Sequence, residues 1–123
     1  MNEKQIQALL SELAGHETEA MASARTMINQ MRDCASGRLI LYLGYRGSDL
    51  IQSAASAHAT SYAAQIVEDY GADEAIARIN AKIMSISEGR DVDRVHEEAG
   101  RELVIRLARV RDVISEHVRK AKT

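Results

Sequence analysis

The chain has no proline, no tryptophan and no phenylalanine, and tyrosine is its only aromatic residue type. β-Sandwiches and barrels draw on aromatic strand residues and on turns that favour proline. Their joint absence argues against both and leaves Leu, Ile, Val, Met and Ala to build the core. That set suits helix packed on helix. With a single cysteine, Cys34, no disulfide can close within the chain, which fits a reducing compartment. The longest unbroken apolar run is Leu39-Ile40-Leu41-Tyr42-Leu43, far short of the ~20 residues that span a bilayer. The first residues, Met1-Asn2-Glu3-Lys4-Gln5, are polar, and no apolar stretch of the secretory kind follows them. The expectation is a soluble, cytoplasmic protein with no membrane partner.

An excess of one charge is also lacking. Sixteen basic and eighteen acidic residues leave a net charge of −2, so no global attraction draws the chain to nucleic acid. The distribution is uneven: residues 101–123 carry seven Lys or Arg against three Asp or Glu. Basic groups near a helix C-terminus are favoured by the dipole, so a solvated helix end accounts for them as well as an acidic partner does.

What is present is helical periodicity in a chain of one-domain length, 123 residues. Asn2 followed by Gln5 has the form of a capping box. Ile6, Leu9, Leu10 and Leu13 then recur at helical spacing, and a break is placed near Gly15-His16, with one continuous helix as the alternative. The next seam, Met21, Ala24, Ile28, Met31, Ala35, Leu39 and Tyr42, makes residues 39–43 the buried end of a helix. An extended strand is the alternative there. Gly44 closes that helix, and Ser48 caps the next, whose inward stripe is Ile51, Ala55, His58, Tyr62, Ile66 and Tyr70. Gly71 ends it. Asp73 and Glu74 open a short helix with the seam Ile76, Ile79, Ile83 and Ile86, ended by Gly89. Asp91 caps a last helix with the stripe Ala99, Leu103, Leu107, Val110, Ile114 and Val118, widened by Val92, Val95, Val104, Ile105 and Val113. The fold class expected is all-α: a compact antiparallel bundle of four to five helices forming one domain over 1–123, and oligomeric. Two features point to assembly. The segment 53–64 is almost entirely Ala and Ser, which lets backbones approach closely. The last helix is apolar over more than one stripe.

Candidate chemistry centres on Gly44-Tyr45-Arg46-Gly47-Ser48-Asp49. Read as a loop before a helix N-terminus, it offers free backbone N–H groups to an anion, with Arg46 as a bidentate partner and Tyr45 as a stacking surface. It matches no Walker or dinucleotide fingerprint. His58 and Tyr62, one turn apart, share a helix face. The ligand-binding set is therefore Tyr45, Arg46, Ser48, His58 and Tyr62. No catalytic residue, cofactor or metal ligand is assigned. Asp93 and His96 form one imperfect pair beside Glu97, where a di-iron bundle needs two Glu-x-x-His pairs and further glutamates.

The function expected is a small non-enzymatic binding protein of the inhibitor or sequestering type. It docks on a partner protein or holds a small anionic or nucleotide ligand, and it also pairs with itself. Compact helical chains without a catalytic signature are common among phage and mobile-element inhibitors of host systems. Two alternatives stand beside it. Glu88-x-x-Asp91 is similar to the second acidic pair of all-helical pyrophosphohydrolases of the MazG and dUTPase type, over four residues only and with no Glu-x-x-Glu before it. A metal-dependent nucleotide hydrolase would use Glu68, Asp69, Glu88 and Asp91. A nucleic-acid-binding regulator would use the basic last helix through Arg106, Arg109 and Arg111.

Overall fold

The capping box at Asn2 forms as the sequence predicts. Asn2 Oδ1 accepts the Gln5 N–H at 2.9 Å, and Gln5 Oε1 accepts the Asn2 N–H at 2.8 Å. It opens α1 (Glu3–Arg32) in a computed structural model that describes residues 1–89 and 97–123. The other elements are α2 (Ser36–Tyr70), α3 (Ala72–Ser87) and α4 (Glu97–Ala121). Every regular element among the described residues is an α-helix. Asp91, Val92, Asp93, Val95 and His96 lie outside the described residues.

The helix α1 runs through Gly15 without a break. A glycine in a helix interior costs about 1 kcal/mol against alanine, and the buried row Leu9, Leu13, Ala20, Ala24 and Met27 offsets that. Likewise Gly44 does not stop α2, Ser48 caps nothing, and residues 39–43 are helical. The chain instead reverses at Asp33-Cys34-Ala35, where the predicted seam ran straight on. No proline or glycine lies within these three residues. Asp33 is the C-cap of α1, and Ala35 caps α2 without a side-chain hydrogen bond.

The later boundaries follow the sequence. Gly71 sits at φ 89°, ψ 171° between α2 and α3, a region open essentially to glycine alone. Asp73 and Glu74 occupy the first turn of α3, where they complement the helix dipole. Arg119 and Lys120 do the same in the last turn of α4.

The helix α2 is the axis of the molecule and packs against α1, α3 and α4. Its neighbours crowd it because its inner face is small: Ala55, Ala59 and Ala63 join Ile66 and Val67 in the core. They meet Leu9 and Leu13 of α1, Ile79 of α3, and Leu103, Leu107, Val110 and Ile114 of α4. Antiparallel α1 and α2 touch where Tyr42 Oη donates to the Met27 carbonyl at 3.1 Å and Ser53 Oγ donates to Ser23 Oγ at 3.1 Å. The helices α2 and α4 run parallel, with Ser48 beside Glu98 and Thr60 beside Val110. By contrast, α1 and α4 barely meet.

Candidate functional site

The loop expected at residues 44–49 does not exist. Those residues are helical, so their backbone N–H groups serve the helix and no anion-binding N-terminus forms there. Tyr45 is 84% exposed. The Arg46 guanidinium pairs with Asp49 at 3.0 Å. Ser48 Oγ donates to Glu98 Oε1 at 3.2 Å. His58 points to solvent, while Tyr62 is half-buried against the core with the Lys82 ammonium 5.8 Å from its ring centroid. At 1.5 Å per residue, Tyr45 and Tyr62 stand roughly 25 Å apart along one helix. The five residues therefore do not converge on a shared cavity.

The acids of the alternative reading are also spread out. Glu68 and Asp69 lie at the end of α2, whereas Glu88 lies past the far end of α3, roughly 24 Å of helix away. Asp91 is outside the described residues. Among the described residues no group of three or more His, Cys, Asp or Glu could hold a metal ion. Cys34 is half-buried in the turn between α1 and α2.

Several cations of α4 are engaged. Arg106 Nη2 lies 3.6 Å from Glu102 Oε2, and Arg111 bonds Asn80 at 2.9 Å. Arg119 and Lys120 pair with Glu116. The hydrogen bond from Arg119 holds the Glu116 carboxyl below the usual glutamate range; desolvation opposes it, and the Arg119 and Lys120 charges add to it. No described helix is long and apolar enough to cross a membrane.

Two features emerge instead. The first is the end of the α1–α2 hairpin. Because α4 begins beside Ser48, the first turns of α2 lean on α1 alone among the described helices. Residues 39–43, expected to be buried, are largely on the surface there. Ile40 is 72% exposed, Leu41 58% and Ile28 of α1 51%, with Leu39, Leu43 and Tyr45 exposed around them. Gly37, Gly44 and Gly47 lie in the same turns, and a Cβ added at any of them meets nothing within 4 Å.

The second is a cleft of about 440 Å³ along the seam where α1 and α4 fail to meet. Small α2 side chains, Ser53 and Ser56, leave room for it. Its walls carry His16 and Glu19 from α1 and Arg106 and Arg109 from α4; Ala20, Val110 and Val113 supply an apolar floor. The hydroxyls are held in place: Ser53 bonds Ser23, and Thr60 Oγ1 donates to the Ser56 carbonyl at 2.8 Å. The Arg106 Nε is buried without a hydrogen-bond partner, as is Glu102 Oε2. Arg109 has no ion pair or hydrogen bond among the described residues. Beyond the cleft, His117 Nε2 meets Glu12 Oε2 at 2.6 Å and ties α4 to α1.

Sequence reasoning missed the cleft because three distant segments build it. Its one local trace is the placement of Arg106 and Arg109 against Val110 and Val113, basic groups on the flank of an apolar stripe. No known protein family matches the chain, and no curated protein or solved structure matches it.

Proposed function

We propose that the protein is a small non-enzymatic binding protein of the inhibitor or sequestering kind, that it works as a homo-oligomer, and that its copies meet at the hairpin end. The observation that carries the self-association is the set of large apolar side chains exposed there, Ile28, Leu39, Ile40, Leu41, Leu43 and Tyr45. A helix apolar all round asks for neighbours on more than one side, and α2 has only α1 at this end among the described helices. Contiguous exposed apolar surface marks an interaction site more often than an idle face. The open glycines let a second backbone come close.

Burying such a side chain fully is worth about 1.5–3 kcal/mol. The half already covered here contributes nothing new, so a symmetric pair of tips gains on the order of 10 kcal/mol. Association costs about 4–15 kcal/mol. The gain falls inside the range of that cost, and the isologous dimer is the simplest symmetry for such a pairing.

Sedimentation velocity over a concentration series tests the reading. The expected result is a mass that climbs from one chain to two. The double variant Ile40→Glu, Tyr45→Glu should stay at one chain while keeping its helical circular dichroism. A wild-type chain that remains single at every concentration would sink the proposal.

A further inference from the structure

We infer that the cleft between α1, α2 and α4 is a binding site for a small organic anion, a phosphate or carboxylate head on a short apolar body. This does not rest on the hairpin reading and stands or falls separately.

The head-group end is set by two arginines. Arg106 and Arg109 sit one turn apart on α4 and both line the cleft, the spacing at which neighbouring helix side chains share a face. A guanidinium presents several N–H donors in a plane that matches phosphate or carboxylate oxygens. Arg109 has no acidic partner among the described residues. Arg106 touches Glu102 only at 3.6 Å, beyond hydrogen-bond range, and its buried Nε has no acceptor. Ser56 and Gln52 on the opposite wall add neutral donors.

The body of the ligand follows from the floor and the volume. Val110 and Val113 present apolar surface beside the arginines. A cleft of about 440 Å³ lies toward the small end of ligand pockets, which run about 300–1,000 Å³. Glu19 stands on the same rim and carries a negative charge that works against a polyphosphate. The arrangement selects a compact anion of low charge.

Titration calorimetry with three probes tests this: phenyl phosphate, inorganic phosphate and phenol, with benzoate in a fourth arm to separate phosphate from carboxylate. Phenyl phosphate or benzoate should bind more tightly than either fragment. Arg109→Gln should weaken that binding by about tenfold, a loss equal to one charge-assisted hydrogen bond, without moving the melting temperature. Glu19→Gln should tighten it. Because Arg106→Gln can also disturb the Glu102 contact, Arg109 and Glu19 carry the decision. No heat with any aromatic anion, or equal affinity in wild type, Arg109→Gln and Glu19→Gln, would overturn the assignment.

Discussion

At Gly71 the backbone takes φ 89° and ψ 171°, and a side chain there is strained whatever the space around it. Gly15 is different: it lies inside α1, and a Cβ added to it meets nothing within 4 Å. The same substitution should therefore act in opposite directions. Gly71→Ala should lower stability by about 1–3 kcal/mol, the cost of holding a non-glycine residue in that region. Gly15→Ala should raise it by about 0.5–1 kcal/mol through helix propensity. Urea denaturation midpoints decide it, and two shifts of equal sign would show that the helix boundaries are misassigned. A glycine looks alike in either setting. Gly71 is legible because Asp73 and Glu74 follow it, whereas the sequence leaves Gly15 undecided and points the wrong way at Gly44, because nothing local reveals how much packing offsets one weak helix residue.

The middle of α2 shows what an element gains from small residues. Ala59 and Ala63 are fully buried where α2 meets its neighbours in the same chain, so the small residues expected to serve assembly pack within the chain. His58, expected on the inner stripe, faces solvent instead. Ala59→Leu should overpack this junction and cost about 1–3 kcal/mol, whereas His58→Ala should stay within about 0.5 kcal/mol. Thermal unfolding of both variants checks the faces, and a costly His58→Ala with a harmless Ala59→Leu would reverse them. The inner faces of α3 and α4 are legible because each carries a regular apolar stripe, Ile79 with Ile83 in one and Leu103 with Leu107, Val110 and Ile114 in the other, though α4 also carries apolar residues such as Ile105 beyond its stripe. The hairpin is not. Periodicity through Met31, Ala35 and Leu39 continues across the reversal, whose one local mark is the Ser36-Gly37 pair at the start of α2, so it places the exposed residues 39–43 on a buried seam.

Over the whole molecule, both the apolar tip and the cleft follow from the length and central position of α2. At 35 residues it spans roughly 52 Å, against roughly 37 Å for the 25 residues of α4. Among the described helices, α4 therefore leaves one end of α2 to α1 alone, and α2 separates α1 from α4 along the cleft, up to the His117–Glu12 contact that joins them. Neither consequence is written in any single stretch of sequence. The mismatch predicts a graded stability. Amides in the first turns of α2 rest on α1 alone among the described helices, so they should open locally at small cost, while those near Leu13, Leu107 and Ile114 should exchange only on global unfolding. Hydrogen exchange in dilute solution should show this gradient. Repeating it at rising protein concentration separates a bare end from a docking end. If copies meet at the tip, protection around Ile40, Leu41 and Tyr45 rises with the paired fraction, and amides that exchange only on global unfolding gain the same mass-action increment, while local openings away from the tip stay unchanged. Protection that rises instead along the outer face of α4, around Ile105, would move the interface there and leave the tip unexplained.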